Sequence, residues 1–296
     1  MKKKLYVPLI TMLLLGLTTS LFAGEKVDQS KDVGADGVVQ IANVRGIIRV
    51  EGWDENQVSV KGELDDMAKS LIFKTNGTVT NIEVEMPKGR LNRGDGSNLI
   101  VRVPRGHQVD FEGVSSDFVV ENVKEGVDIR TVSGDVDAKG IEKSIYIKTV
   151  SGDVKVKESS GDSRLASVSG DIKAEMDSES IETNVVSGDV TLHLGNFKRL
   201  DASVVNGEFW VKGAQMDDGE TSVSSVNGDV TLNFTAALNA RIKAKTGPGG
   251  NIHNEISSDE VEKVFPNQEK LKCTVGDGNG KVVVSTVNGT IKIKGD

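Results

Sequence analysis

The unit Val-Ser-Gly-Asp-Val stands at Val132–Val136, Val150–Val154 and Val186–Val190, and with one change at Val168–Ile172. Looser copies stand at Val114–Phe118, Val205–Phe209 and Val226–Val230. Their central residues, Ser116, Gly134, Gly152, Gly170, Gly188, Gly207 and Gly228, are separated by 18, 18, 18, 18, 19 and 21 positions. A chain with so regular a period builds one supersecondary unit per period and buries its apolar face by stacking the units. Outlying relatives of the unit stand at Val44–Ile47 and Val287–Ile291.

Each repeat reads as strand, corner, strand. Before the corner the inward set is Val109, Phe111 and Gly113, then Val127, Ile129 and Thr131, then Ile145, Ile147 and Thr149, then Ser163, Leu165 and Ser167. After it come Phe118 and Val120, Val136 and Ala138, Val154 and Val156, Ile172 and Ala174, and Val190 and Leu192. The alternation has period two, the mark of a half-buried strand. Residues between them, such as Asp128, Arg130, Lys148, Lys155 and Lys173, belong on a solvated outer face. Glycine at the corner permits a backbone turn that other residues resist.

Two all-β folds satisfy this parity. One is a β-solenoid of ~18-residue coils stacked in parallel; the alternative is a chain of antiparallel hairpins forming a sandwich or barrel. The valine two places before each centre favours the first. In a two-residue hairpin Val132 would share the polar face with Asp135, and so would its copies. In a solenoid corner it can turn inward, and a buried Val contributes roughly 1.5–3 kcal/mol. An open sheet of about fourteen strands is also too large without closure. The expectation is therefore a solenoid, with room for Val, Ile, Leu and Ala but few rings, in keeping with 4% aromatic residues.

The organisation expected along the chain has four parts: a signal peptide over 1–23, an irregular β region and loop over 24–98, regular repeats over 99–235 and a capping β region over 236–296. Lys2, Lys3 and Lys4 precede a Leu-rich run that ends at Ala23, the pattern of an export signal. No later apolar run is long enough to span a bilayer, so no transmembrane segment is expected after cleavage. Pro87 to Asn98 reads as a long loop, and Ser257 to Phe265 as a short helix. Cys273 is the single cysteine, which excludes an intrachain disulfide framework.

The Ser-Gly-Asp-Val series, the opening Gly46–Asp54 segment, Thr246–Gly250 and the closing Thr286–Ile291 segment together resemble a family of exported bacterial β-strand-repeat proteins of unknown function, labelled adhesins. The similarity covers roughly 36–296. It implies a surface or envelope role and supplies no catalytic residues.

The pattern with most chemical content is an acidic ladder: Asp117, Asp135, Asp153, Asp171, Asp189, Glu208 and Asp229 each follow a corner centre. Stacked carboxylates about 4.8 Å apart repel by roughly 1 kcal/mol in water, so something must offset them. Turn chemistry is the plainer account, since Asp accepts hydrogen bonds from nearby backbone N–H groups. A calcium row is the sharper one, but a single Gly-Asp corner per coil supplies few oxygens for a 6–8-coordinate ion. No metal site and no cofactor are therefore expected. Asp277–Lys281 fails as an EF-hand because its twelfth position is Asn288. Gly280-Lys281 lacks the earlier glycine of a phosphate loop. Arg93-Gly94-Asp95 matches a cell-adhesion tripeptide that turn composition alone explains. The series Ser133, Ser151, Ser169 and Ser187 has no His at matching positions, so no nucleophile with its base is visible; His107, His193 and His253 are the only histidines. A net charge of −8 argues against nucleic acid as a partner. The expected function is a non-enzymatic, exported envelope scaffold or binding module for a protein or glycan, in the periplasm or at the cell surface. The alternatives are a calcium-dependent module and a solenoid enzyme acting on polysaccharide.

Overall fold

The structure is a computed structural model that describes residues 24–89 and 94–295, and the signal-peptide segment 1–23 lies outside the described residues. Those residues form 23 β-strands. The first group is β1 (Lys26–Asp32), β2 (Gly37–Trp53), β3 (Gln57–Glu63), β4 (Ser70–Asn76), β5 (Val79–Glu85) and β6 (Ser97–Pro104). The repeats supply β7 (His107–Glu121), β8 (Val127–Ser133), β9 (Val136–Lys139), β10 (Ser144–Ser151), β11 (Val154–Ser160) and β12 (Asp162–Ser169). They continue with β13 (Ile172–Asp177), β14 (Ser180–Ser187), β15 (Val190–Asn206), β16 (Phe209–Asn227) and β17 (Val230–Phe234). The last group is β18 (Ala240–Thr246), β19 (Asn251–Glu255), β20 (Glu262–Val264), β21 (Gln268–Val275), β22 (Gly280–Asn288) and β23 (Thr290–Gly295). Among the described residues there is no helix long and apolar enough to cross a membrane.

The strands before and after the corners form two parallel stacks. The first contains the leading halves of β2 and β7, then β8, β10, β12, β14, the trailing halves of β15 and β16, and β22. The second contains the trailing halves of β2 and β7, then β9, β11, β13, the leading halves of β15 and β16, then β17 and β23. Hairpins would have paired β8 with β9 in antiparallel fashion; each pairs instead with its equivalent in the coils above and below. The register keeps like residues opposite one another: Val127, Ile145, Ser163, Ile181 and Leu200 form one column. Ser180, Arg199 and Glu220 form another. The extra residues of the 19- and 21-residue spacings therefore fall in the return turns, and the corners stay in phase.

The outlying units belong to the same ladder. Gly46 lies opposite Ser116, and Asn288 opposite Asn227, so Gly46 and Gly289 mark a first and a ninth coil. The long intervals beside them are excursions that cover the two ends. At one end β5 and β6 add to β2 in parallel, and β4, β3 and β1 close the edge in antiparallel pairings. At the other, β18 and β19 add to β22 and β23, and β21 and β20 close antiparallel. β22 and β23 thus lie within the stack, although the sequence groups them with the cap. The core is the predicted inward set, with Val127, Ile129, Val136 and Ala138 all at most 2% exposed, and Ile141 in the return adds to it. Phe111 and Phe118 stack across the Ser116 corner with ring centroids 4.0 Å apart.

Three expectations are corrected. The valine before each corner faces outward: Val114, Val132, Val150, Val168, Val186, Val226 and Val287 are 40–51% exposed. The reason is that β8 and its equivalents run on to the serine, so the alternation that buries Thr131 exposes Val132 and the turn begins later. The segment Ser257 to Phe265 contains no helix. Asn254 Nδ2 donates to Ser257 Oγ and to the Asp259 carbonyl, and Glu262–Val264 pairs with β21. So short a helix has little stability of its own. The expected loop through Asn98 ends earlier, because Ser97 and Asn98 already pair with Gly46 and Ile47.

Candidate functional site

At the corners the acidic ladder is held by the backbone of the next coil. The N–H of Asp135 donates to Asp117 Oδ1 (3.0 Å), that of Asp153 to Asp135 Oδ1 (2.9 Å) and that of Asp171 to Asp153 Oδ1 (2.9 Å). Asp189, Glu208 and Thr290 continue the series onto Asp171, Asp189 and Asp229. Each such carboxylate spends one oxygen on a peptide N–H, a bond that holds successive coils in register. No group of three His, Cys, Asp or Glu side chains placed to hold a metal occurs among the described residues. Lys173 Nζ stands 3.7 Å from Asp171, and Lys155 forms no ion pair among them.

The return turns, on the other side of the coils, build a groove of about 670 Å³ that crosses five of them. Its polar lining includes Arg105, Lys124, Glu142, Glu158, Glu175 and Asp177. Met176 and Leu194, 4% and 8% exposed, give it an apolar floor. His193 lines the last coil, and its ring lies 4.8 Å from that of Trp210 on the next, tilted by 52°. Local backbone explains the shape. Asn122, Gly140 and Glu158 hold equivalent places in three coils with φ of 60°, 63° and 49°. Left-handed φ makes these returns tight; Asn and Gly accept it readily and Glu does not. From Met176 onward the returns follow a different path, and they lengthen at Gly195.

Several charges in the groove are already paired. Arg105 contacts Asp54 at 2.9 Å, Lys124 lies 3.9 Å from Glu142, and Lys139 lies 3.2 Å from Glu158. Glu175 and Asp177 make no ion pair among the described residues. Asp177 leans onto the neighbouring coil, where a Cβ on Gly195 would stand 1.8 Å from its Oδ1. The sequence singles out His193 but not these carboxylates. They stand at different distances after their corner, within an interval of the ordinary 18 residues, so neither a column of like residues nor the spacing marks them.

The remaining sequence candidates are dispersed. Ser133, Ser151, Ser169 and Ser187 are exposed at the corners, away from every histidine. His107 is buried with Nε2 2.9 Å from the Gly34 carbonyl oxygen, and His253 is exposed on β19. Cys273 is buried in β21, and desolvation pushes its thiol pKa up. The Asp277–Lys281 loop is tied down by Asn239, whose Oδ1 accepts the Gly278 N–H at 2.6 Å. Arg93 lies outside the described residues, so the adhesion tripeptide has no geometry to report. Beside the first corner, Arg45 forms a two-pronged ion pair with the buried Asp65.

The sequence model of the family described as Toastrack DUF4097 matches residues 39–294. Among solved structures, a candidate adhesin from Bacteroides fragilis shares 13% identity, with a TM-score of 0.48, over 91% of this chain and 97% of its own. A candidate adhesin from Parabacteroides distasonis shares 14%, with a TM-score of 0.44, over 68% and 93% of the two chains. A candidate lipid-binding protein from the same species shares 13%, with a TM-score of 0.36, over 92% and 98%. No curated protein matches the chain.

Proposed function

This chain belongs to the Toastrack DUF4097 family, and on that premise we propose that it is an exported, non-enzymatic binding module of the cell envelope. Its body is a β-solenoid, a stiff frame that holds side chains from separate coils at fixed spacing. The basic, Leu-rich leader that ends at Ala23 supports export. N-terminal sequencing of the protein from the envelope fraction should begin near Gly24; an intact Met1 in the cytoplasm overturns that part.

The observation that carries the binding reading is the groove across five coils. An apolar floor with a few convergent polar groups is the usual form of a ligand site. Ionised carboxylates only accept hydrogen bonds, so the ligand must bring donors. The acidic rim also disfavours anionic ligands. A neutral glycan chain meets both demands, and a sugar face can lie against His193, whose ring is supported by Trp210 4.8 Å away. Calorimetric titration with neutral and acidic envelope oligosaccharides tests this. Binding of the neutral set, weakened about tenfold by Trp210→Ala, is expected. Preference for the acidic set, no binding of either, or indifference to Trp210→Ala rejects it. Release of cleaved sugar that disappears in Glu158→Gln would replace it with the enzyme reading.

A further inference from the structure

Along the body of the stack, outward cations are answered by acids on the same strand or the next coil. Arg130 meets Asp128, Lys143 meets Glu125, Arg164 meets Glu182 and Lys281 meets Glu220. The C-terminal cap departs from this rule. The outward positions of β18 are Arg241, Lys243 and Lys245, and β21 adds Lys270 and Lys272. Pairing sets Lys243 opposite Lys272 and Lys245 opposite Lys270. None of these five cations makes an ion pair among the described residues. Lys281 on β22 lies beside Arg241. The outward acids around them are Glu220, already held by Lys281, and Glu262 on β20, opposite Lys270. In a chain with 36 basic and 44 acidic residues, six cations against two acids on neighbouring strands is a local reversal of charge. Like charges directly opposite one another weaken a strand pair, so the cap gives up stability to keep this face cationic.

An apolar group stands at one end of the same face. Val264 lies opposite Gln268, two residues from Lys270, and Phe265 follows in the turn. Phe265 is 95% exposed, against at most 51% for the other exposed large hydrophobic residues.

We propose that the cap face docks on an anionic lipid surface, with its lysines over the headgroups and Phe265 inserted among them. Charge complementarity selects an anionic occupant, and two features select a membrane over a soluble polyanion. The cations stand on a sheet face across adjacent strands, so they meet a plane of charge. A soluble polyanion also has no use for a bare phenyl ring, whereas basic residues beside exposed apolar side chains are the composition of peripheral membrane contacts. Each cation near an anionic bilayer strengthens binding about fivefold. No residue lining the groove belongs to this face, so the glycan reading and the membrane reading stand or fall separately.

Flotation with phosphatidylcholine vesicles, with and without phosphatidylglycerol, tests the proposal. The chain from Gly24 onward is used, because the Leu-rich leader would enter a bilayer by itself. Binding to the anionic vesicles alone is expected, and it should weaken as salt rises. Lys243→Gln with Lys272→Gln should weaken it about twentyfold. With the opposed lysines gone, the thermal midpoint should match or exceed that of the parent, which checks that the variant is folded. Phe265→Ser should weaken binding severalfold. Lys155→Gln with Lys173→Gln removes the same charge from the outer face of the second stack and should change little. No binding to the anionic vesicles, equal losses from the two lysine pairs, or binding indifferent to Phe265→Ser overturns the proposal. Capture of inorganic polyphosphate without vesicle binding also overturns it and assigns the face to a soluble polyanion.

Discussion

The corner glycine shows why the repeat is so strict. Gly152 has φ of +153°, and a Cβ there would stand 2.2 Å from the Gly134 carbonyl oxygen of the preceding coil. Gly152→Ala must therefore strain the backbone and separate two coils, and it should destabilise by at least ~2 kcal/mol. Lys155→Ala, on the outer face, should stay within about 0.5 kcal/mol; equal urea midpoints for the two would refute the corner assignment. The Arg45–Asp65 pair makes a second residue-scale prediction. Asp65 has a side chain only 1% exposed, and its pKa is lowered chiefly by the Arg45 hydrogen bond, with help from the Met67 N–H. A depressed carboxylate pKa adds stability above the unfolded value of ~3.9 and loses it as pH falls through the folded value. Arg45→Met leaves that carboxylate buried without its cation and should cost about 3 kcal/mol at pH 7. The gap between parent and variant should narrow below about pH 4 in denaturant titrations, and a gap that does not change with pH contradicts the pairing. Residue-level legibility was uneven for a physical reason. Period two assigns Val127 and Ile129 inward, yet it could not say where the strand ends, so Val132 was placed on the wrong face. Asp128 was placed in solvent but is half-buried, and desolvation raises its pKa despite Arg130 at 2.7 Å.

At the scale of the element, each coil has a conserved-length half and a variable half. The corner half is locked by the Gly backbone and the Asp-to-N–H bonds, so its motif recurs and can be read. The return half carries the extra residues and the groove, and its residues share no pattern from coil to coil. Glu158 marks the difference: it holds a φ of +49° in a place where Asn122 and Gly140 sit comfortably. Its ion pair with Lys139 is exposed and worth ~0–1 kcal/mol. Glu158→Gly should thus be neutral or stabilising by about 0.5 kcal/mol, whereas the same change at a regular strand position would destabilise. A loss above ~1 kcal/mol would mean that the carboxylate supports the fold rather than the groove. The Asp ladder bears on the calcium question at this same scale. Because one oxygen of each carboxylate already accepts a peptide N–H, melting curves in EDTA, millimolar calcium and magnesium at matched ionic strength should coincide. A bound ion would instead raise stability by about 2.7 kcal/mol at a hundredfold excess over its dissociation constant. A calcium-specific rise abolished by Asp153→Asn with Asp171→Asn would establish the metal row.

Over the whole molecule, nine coils carry two excursions, and each excursion covers the end of the stack beside it. This arrangement was hidden in the sequence because the excursions lack the repeat that identifies everything else. The first and last coils looked like outliers only because a cap separates each from its neighbours in the chain. The spacing itself reveals the second excursion. Gly228 and Gly289 are 61 positions apart, as are the bonded Asn227 and Asn288, against the usual 18, an excess of 43. Deleting 237–279 removes those 43 residues and places Lys281 at the same distance after its corner as Ser180 has after Gly170. Since Lys281 already pairs with Glu220, the shortened chain should close the ninth coil with an ordinary return. Its β-sheet circular dichroism and cooperative melt should survive. What it loses is β18 to β21, which cover the outer side of β22 and β23. An uncovered strand edge is a template for further pairing, so the variant should form concentration-dependent, end-to-end oligomers by light scattering. Deleting 280–296 is the opposite experiment, because it removes the coil on which the cap rests while leaving the cap in the chain. That variant should lose its cooperative transition. If instead it melts like the parent while the 237–279 deletion unfolds, the cap is an independent folding unit and the nine-coil account of the stack is wrong.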